Sequence, residues 1–143
     1  MADLRFAAPV DDTTLDLWRS IHNTILPPFP LSLSDVRERA GRHVLEIAYD
    51  GEVAVGNSTV RPPDADGVSV VIARVLPEHR GHGFGTLIHA RALAAARSLG
   101  PAAIETVVLL TNADGLRFAS RHGYDEVERY TVHGAQEVRL RLR

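Results

Sequence analysis

From Val75 to Ile88 the chain reads VLPEHRGHGFGTLI, where an apolar strand pattern runs through an arginine- and glycine-rich loop into a helical pattern. Gly81, Gly83 and Gly85 lack the Cβ atoms that would hold a ligand away from the main chain, and they accept the φ angles of a tight loop. Several amide N–H groups can therefore converge on one anion. This stretch predicts a phosphate-binding loop.

The helix expected to begin near Gly83 adds to the same property. The first amides of a helix have no partner within the helix, and the helix dipole favours negative charge at that end. Arg80 supplies a cation that can make a bidentate contact with phosphate oxygens. Strand, loop and helix N-terminus are therefore expected to form one anion-binding unit.

Two common phosphate-binding motifs do not describe this loop. A dinucleotide fingerprint, G-x-G-x-x-G, requires a third glycine at the position of Thr86. A P-loop requires a lysine after its last glycine, but the chain contains no lysine, so that its 16 basic residues are all arginine. We set both motifs aside.

A second motif follows further along the chain. Residues 104–110 (IETVVLL) read as a buried strand, and residues 111–124 (TNADGLRFASRHGY) place Asn112 before a short helix that ends in a Gly-Tyr pair. The arginine-glycine loop, the V-x-P segment before it and this second motif together resemble the GCN5-related N-acetyltransferase (GNAT) family. The resemblance implies an α/β fold: a mixed, mostly antiparallel sheet with helices on both faces and a central parallel strand pair.

In that family the loop holds the pyrophosphate of coenzyme A, and the preceding strand pairs its backbone with the pantetheine arm. The resemblance assigns pantetheine contacts to Ala73, Arg74 and Val75, and a hydrogen bond to the cofactor to Asn112. An Asn112 side chain bonded only to its own turn remains an alternative. The residues that the resemblance assigns to the pyrophosphate are Arg80, Gly81, His82, Gly83, Phe84, Gly85 and Thr86.

The expected function is transfer of the acetyl group from acetyl-CoA to a primary amine by direct attack. The chain has no cysteine, which excludes an acyl-cysteine intermediate. A strand N–H near Val75 is a candidate donor to the thioester oxygen. The alternative is a non-catalytic module of the same fold that senses coenzyme A or binds a partner.

The general acid and general base are the part of the family pattern that this sequence matches least. Many family members carry a tyrosine seven residues after the asparagine, where it protonates the departing thiolate, but here that position is Ala119. Ser120 is adjacent but points about 100° away on a helix, which leaves solvent as a proton source. Glu105, on the second central strand, is either a general base or an ordinary strand-edge carboxylate.

The resemblance places the acceptor amine against the first two helices and the loop that connects them. Candidate acceptor-binding residues are Trp18, His22 and Phe29. The helical spacing of Trp18 also fits a plain core residue, and His22 also fits a helix-surface position.

The composition narrows the possible partners. A chain of 143 residues fits one domain, which we place over residues 1–143, and a net charge of -2 gives no broad cationic surface for nucleic acid. The seven histidines are too scattered to predict a metal site.

We found no signal or membrane segment, so we expect a cytoplasmic protein, and the arginine bias suggests a bacterial source. A homodimer is possible, with the final strand pairing across a two-fold axis.

The remaining pattern predicts the order of elements. Leu4 to Ala8 reads as a strand, and Asp12, Thr13 or Thr14 is expected to cap the first helix. A second helix is expected from Ser32 or Ser34 to about Ala40. Further expected elements are a hairpin of Val44–Tyr49 and Glu52–Val60, a strand from Val68, a helix from Phe84 to Gly100, and a closing pair of Glu126–Val132 and Glu137–Leu142.

Overall fold

The computed structural model of the protein describes residues 3–143. Its strands are β1 (Arg5–Ala7), β2 (Val44–Asp50), β3 (Val53–Arg61), β4 (Val68–Val75), β5 (Ala103–Leu109), β6 (Tyr124–Val132) and β7 (Ala135–Leu142). Its α-helices are α1 (Asp12–Ile25), α2 (Leu33–Arg42), α3 (Phe84–Ser98) and α4 (Ala113–Arg121), and a single 3₁₀ turn spans Pro77–His79.

All seven strands form one sheet in the order β1-β2-β3-β4-β5-β7-β6. The β4–β5 pair is parallel and the other pairs are antiparallel. The mixed, mostly antiparallel sheet with a central parallel pair is therefore confirmed. None of the helices within residues 3–143 is long and apolar enough to cross a membrane.

The first helix begins one residue earlier than the sequence pattern indicated. Asp11 is its N-cap, because the Asp11 side chain accepts a hydrogen bond of 2.8 Å from the Thr14 amide while Thr14 Oγ1 accepts one of 3.2 Å from the Asp11 amide. This reciprocal capping box satisfies amides that a helix leaves free at its start. Ser32 and Asp35 make the same arrangement at α2.

The helices cover both faces of the sheet. Trp18 of α1 and Val36 of α2 are buried against Ile47 of β2 on one face. Ile88 of α3 packs on the other face, where Ala119 of α4 also belongs to a buried cluster. Because side chains alternate along a strand, each central strand contributes to both cores.

The two central strands separate beyond their first residues. β4 pairs with β5 only from Val68 to Val70, opposite Ala103 to Glu105. β4 then continues along β3 as far as Val75, and β5 continues along β7 as far as Leu109. Each strand therefore keeps its outer partner, and a gap lined by unpaired backbone groups opens between them.

The last strand does not lie at an edge of the sheet. β7 is flanked by β5 on one side and β6 on the other, so that the edge strands are β1 and β6. The expectation that the final strand is free to pair with a second copy is therefore wrong. The sequence order suggested an edge because the chain ends there, but the fold inserts β7 beside β5 and displaces β6 outward.

Gly56 is predicted to be required for the β3–β4 pairing. A Cβ atom at Gly56 would overlap the carbonyl oxygen of Arg74 and reach the Ile88 side chain at 3.0 Å. We expect Gly56→Ala to lower the free energy of unfolding by about 3 kcal/mol, the upper end of overpacking costs. Urea unfolding measures the change.

Gly41→Ala provides the matched control for that experiment. Gly41 lies inside α2, and a Cβ atom there meets no atom within 4 Å. Alanine is the better helix former, so this variant should be stabilised by about 0.5 to 1 kcal/mol. Equal effects of the two substitutions would contradict the predicted close approach at Gly56.

Candidate active site

A cavity of about 1330 Å³ lies against residues of β4 and β5. It extends from the arginine-glycine loop, past β4 and β5, to the α1–α2 loop and the β6–β7 turn. Most of the candidate site residues line it, whereas Trp18, His82, Glu105 and Ser120 do not. Those that line it are His22, Phe29, Ala73, Arg74, Val75, Arg80, Gly81, Gly83, Phe84, Gly85, Thr86 and Asn112.

The arginine-glycine loop has the backbone conformation of an anion site. Gly81 and Gly83 adopt φ angles of 85° and 80°, which side-chain-bearing residues rarely accept, and no atom lies within 4 Å of a Cβ built at either position. Gly83 is the N-cap of α3 and has no side chain to cap it. The first amides of α3 are therefore left for an external acceptor.

Arg80 lies in the same loop, and its side chain reaches back to the end of β4. Its Nε donates a hydrogen bond of 3.0 Å to the Val75 carbonyl oxygen, and its side chain is exposed. This bond fixes the base of the guanidinium and leaves its two terminal nitrogens without a partner among the described residues. The terminal nitrogens are thus available to an anion beside the α3 N-terminus.

The backbone of β4 presents alternate residues to the gap. The Leu76 amide donates to the Val55 carbonyl at 2.9 Å, on the β3 side. Since antiparallel bonding alternates along a strand, Arg74 also directs its amide toward β3, and Ala73 and Val75 direct theirs toward the gap. Ala73 and Val75 can therefore make backbone contacts with a ligand in the gap. The side chain of Arg74 lies instead on the face of the sheet that α1 and α2 cover.

Asn112 is the N-cap of α4. Its Oδ1 accepts a hydrogen bond of 2.9 Å from the Gly115 amide, as the alternative reading of this residue expected. The cap uses only the oxygen, so the Nδ2 group remains a donor on a residue that lines the cavity. Helix capping and a contact with a ligand are therefore compatible at this position.

Ala119 lies where the resemblance would place a tyrosine. It is 2% exposed and belongs to the same buried cluster as Tyr124. The Tyr124 hydroxyl lies 2.9 Å from His89 Nε2, and burial raises the pKa of Tyr124 to about 12 and lowers that of His89 to about 4. Ser120 is exposed on the outer side of α4.

Glu105 is held by two arginines. Its carboxylate, with a side chain only 4% exposed, accepts hydrogen bonds of 2.7 Å from Arg139 and 2.6 Å from Arg141. Arg139 also bonds Glu128 at 3.0 Å, which extends the network across β6. These contacts tie β5, β7 and β6 together at the end where β4 and β5 are still paired.

The side chain of Arg74 is buried on the α1–α2 face of the sheet. It is 6% exposed, and its Nη1 donates to Asn57 Oδ1 at 3.2 Å and to Thr59 Oγ1 at 3.1 Å. Its guanidinium carbon lies 5.5 Å from the centre of the Trp18 ring. Its Nε is buried without a hydrogen-bond partner among the described residues.

Two further arginines line the same part of the cavity. Burial, with the positive charges of Arg61 and Arg39, lowers the pKa of Arg74 to about 9, so that it stays charged at neutral pH. The Nε of Arg61 is also buried without a partner. Within residues 3–143 no carboxylate lies within 4.0 Å of these three guanidinium groups. Unpaired charge in a poorly hydrated interior is costly, which makes this cluster a receptor for negative charge.

His22 faces the arginine cluster from α1. Its ring stacks on Trp18 with centroids 5.6 Å apart, and burial, with the charge of Arg74, lowers its pKa to about 4. His22 is therefore neutral at physiological pH and does not add a positive charge to the cavity. Trp18 is 0% exposed, so it supports His22 and Arg74 from within the core.

Glu137 is a carboxylate in the cavity that the sequence patterns did not single out. Burial raises its pKa above the ordinary glutamate value, although the charge of Arg61 acts in the opposite direction. β7 places Glu137 opposite Leu109 of β5. No local signal distinguishes Glu137 from the other charged residues of β7, because the pairing of β7 with β5 decides which residue reaches the cavity.

The α1–α2 loop and the β6–β7 turn meet at one end of the cavity. The rings of Phe29 and His133 make an edge contact with centroids 6.1 Å apart. His133 and Gly134 form a two-residue turn with φ angles of 48° and 80°, which is the tight hairpin geometry. The ring contact and the tight turn therefore border this end of the cavity.

The described residues do not gather metal ligands at the cavity. Across residues 3–143 no group of three or more histidine, aspartate or glutamate side chains is arranged to hold a metal ion. The charged groups that line the cavity are instead mostly guanidinium groups, together with the carboxylates of Glu137 and Asp114.

The family comparison agrees with this arrangement. The sequence model described as "Acetyltransferase (GNAT) family" matches residues 8–124, which include the gap, the arginine-glycine loop and Asn112. The chain belongs to the GNAT family of acetyltransferases. No curated protein sequence matches it significantly.

Solved structures share this GNAT fold. A protein provisionally named a phosphinothricin N-acetyltransferase aligns with a TM-score of 0.80 at 17% identity, covering 98% of each chain. The yncA protein of Salmonella typhimurium, solved with its cofactor acetyl-CoA, aligns at 0.77 and 14% identity over 97% of this chain and 92% of its own. The ribosomal-protein-S18-alanine N-acetyltransferase of Escherichia coli aligns at 0.78 and 15% identity over 98% and 93%. At these identities the likeness establishes the fold.

Substitutions of Asn112 should test its role as the cap of α4. Asn112→Asp keeps an oxygen that accepts the Gly115 amide and should leave the free energy of unfolding unchanged within about 0.5 kcal/mol, whereas Asn112→Ala should lower it by about 1 kcal/mol. Urea unfolding of both variants tests the cap. Equal stability of the alanine and aspartate variants would contradict the capping role.

Proposed function

We propose that the protein transfers the acetyl group of acetyl-CoA to a primary amine by direct attack of the neutral amine on the thioester. The observation that supports this most strongly is the gap between β4 and β5, which joins the arginine-glycine loop to a separate, charged acceptor side. The cytoplasmic setting, the single domain over residues 1–143 and a homodimer remain predictions from the sequence.

The residues at the gap fit coenzyme A. Gly81 and Gly83 leave open space beside the α3 amides, so a diphosphate can approach the main chain. Ala73 and Val75 direct backbone groups into the gap, where the amides of a pantetheine arm find partners. Asn112 offers Nδ2 on the opposite wall. In this arrangement acetyl-CoA supplies an activated acetyl group on a thioester.

The chain contributes mainly position to the reaction. A new bond forms between the amine nitrogen and the acetyl carbon, the carbon–sulfur bond breaks, the amine loses a proton and the leaving thiolate gains one. Holding the amine in line with the thioester can remove about 7 kcal/mol or more of the barrier. We propose that the Val75 amide polarises the thioester oxygen. Because Ala119 replaces the usual tyrosine, solvent is the proposed proton source for the thiolate.

Glu137 is the proposed acceptor of the amine proton. It lines the cavity, and its raised pKa brings its basicity closer to neutral pH, as a general base requires. Glu105, the base suggested by the sequence, is engaged by Arg139 and Arg141 and does not line the cavity. The contacts of Glu105 favour a structural role in the sheet.

The second candidate is a module that binds coenzyme A without transferring the acetyl group, as the alanine at position 119 suggested. Release of thiol from acetyl-CoA, measured over a panel of amines, distinguishes the two. Acceptor-dependent release identifies an enzyme. Binding of acetyl-CoA without any acceptor-dependent release would identify the binding module.

Loss of the anion site should abolish binding of the donor. Arg80→Ala removes the cation beside the α3 N-terminus, and Gly83→Glu forces a side chain with negative charge into a conformation at φ 80° that disfavours it. We expect isothermal titration to show acetyl-CoA binding to the unaltered protein and at least tenfold weaker binding to both variants, a loss of about 1.4 kcal/mol or more.

Arg143→Ala serves as the control, since Arg143 pairs with Asp125 at an exposed site outside the cavity. It should bind acetyl-CoA as the unaltered protein does. If the unaltered protein itself shows no binding, the proposed function is wrong.

Substitution of Glu137 should lower activity and change its pH profile, whereas substitution of Glu105 should lower the stability of the fold. Glu137→Gln should lower kcat about 100-fold, because a positioned general base contributes at least that much. The base acts only when deprotonated, so kcat/KM of the unaltered protein should rise with pH through the raised pKa of Glu137, and Glu137→Gln should flatten that rise.

Glu105→Gln should instead lower the free energy of unfolding by about 1 to 3 kcal/mol, because it weakens the buried pairs with Arg139 and Arg141. Its pH profile should keep the rise. A pH profile that changes in the Glu105 variant and not in the Glu137 variant would reverse the assignment.

A further inference from the structure

We propose that the acceptor is a small amino acid: a primary amine that carries a carboxylate, which Arg61 and Arg74 bind while the amine faces Glu137. This inference rests on the proposed function and specifies the substrate class of the same site. Four observations carry it: the unpaired edge of Arg74, the second arginine beside it, the carboxylate across the gap, and the closed end of the cavity.

Arg74 is oriented before any ligand arrives. Asn57 and Thr59 accept hydrogen bonds from Nη1 and hold the guanidinium in place. The edge formed by Nε and Nη2 has no partner among the described residues, and Arg74 lines the cavity while being 6% exposed. This is the edge that a carboxylate engages with two parallel hydrogen bonds.

Arg61 supplies the second unpaired guanidinium. Its Nε is buried without a partner, and its charge is felt by Arg74, as is that of Arg39 at the end of α2. Neutral His22 adds no charge of either sign. An oxyanion between Arg61 and Arg74 would reduce the repulsion within the cluster.

The arginine cluster is distinct from the site proposed for the diphosphate. Arg61 pairs with Val70 of β4, seven residues or about 23 Å before Pro77 along an extended strand, and Arg74 lies three residues or about 10 Å before it. The arginine-glycine loop follows Pro77. Arg74 also directs its side chain to the α1–α2 face, whereas α3 lies on the other face of the sheet. An anion at the cluster therefore belongs to the acceptor.

Glu137 faces the cluster from the other side of the gap. Arg74 lies four residues after Val70, and Leu109, the partner of Glu137, lies four residues after Glu105, so the two positions are level along the parallel pair. The cavity thus offers positive charge on one wall and a carboxylate on the other. An amino acid carries the complementary pair of charges, with its amine toward the proposed base.

The closed end of the cavity favours a small acceptor over a protein chain. Phe29 and His133 meet above it, and the tight turn at His133 and Gly134 limits movement of that wall. A free amino acid fits beneath this contact. A protein N-terminus would have to displace it.

The test compares each acceptor with its own neutral form. The probes are the proteinogenic α-amino acids other than proline, β-alanine and 4-aminobutyrate, each assayed beside its primary amide with acetyl-CoA and the full chain. Short peptides with free N-termini are assayed in the same way. Removing the carboxylate makes the amine less basic, so more of the amide is in the reactive neutral form. A preference for the acid therefore cannot come from intrinsic reactivity. We expect at least one acid to exceed its amide by about tenfold or more in kcat/KM.

Three variants test which residues cause the preference for the acid over its amide. Arg61→Gln should remove it, and Arg74→Lys, which keeps the charge and loses the bidentate edge, should reduce it, mainly through KM. Arg129→Gln removes one positive charge from an exposed ion pair with Glu126, outside the cavity, and should leave the preference intact. All three variants should still bind acetyl-CoA by isothermal titration.

A thermal-shift measurement needs no turnover, so it can test variants and acceptors that do not react. In the presence of coenzyme A, the preferred acid should raise the Tm of the unaltered protein, its amide should not, and Arg61→Gln should show no rise with either. Equal activity and equal Tm shifts for acid and amide, or no carboxylate-dependent effect anywhere in the panel, would overturn the inference. Preference for a peptide with a free N-terminus over every amino acid would also overturn it.

These outcomes are separable from failure of the proposed function. If acetyl-CoA binds and neutral amines are acetylated without preference, the acetyltransferase proposal stands and the amino-acid acceptor is wrong. If acetyl-CoA does not bind, the acetyltransferase proposal fails, and the amino-acid acceptor fails with it.

Discussion

The separation of β4 from β5 after Val70 and Glu105 is the constraint on which the rest of the structure depends. It is tolerated because each strand keeps a complete outer partner, β3 for one and β7 for the other. Only the inner edges lose their hydrogen bonds, and these edges become available to a ligand. The arginine-glycine loop follows β4 at one end of the opening, and α4 follows β5. Both walls of the cavity therefore depend on the separation of these two strands.

Because successive residues of β4 alternate in direction, this strand contributes to both the proposed donor site and the proposed acceptor site. Ala73 and Val75 direct their backbone groups into the gap, while the side chain of Arg74 reaches the α1–α2 face. In the proposed function, donor and acceptor are thereby held by neighbouring residues of one strand, which would fix their distance. Such fixed geometry suits a mechanism that depends more on orientation than on an acid, and this chain has Ala119 in place of the usual tyrosine.

The acceptor side is electrostatically unusual because its buried positive charges lack partners within the described residues. The buried arginine contacts of Glu105 differ, because there Arg139 and Arg141 both pair with a carboxylate. Asn57 and Thr59 hold Arg74 by neutral oxygens, which orient the guanidinium without cancelling its charge. A site built in this way keeps its attraction for an incoming anion, and its stability cost is offset when the anion binds.

The sequence by itself determined the arginine-glycine loop and the order of helices and strands, and it offered the local bond of Asn112 as one of two alternatives. These follow from local chemistry: glycine conformations, helix periodicity and side chains that bond nearby amides. Only the tertiary structure decided that β7 lies inside the sheet and that Arg61 and Glu137 reach one cavity. The register between strands distant in sequence sets which alternate residues share a face, and no local pattern in β3 or β7 encodes that register.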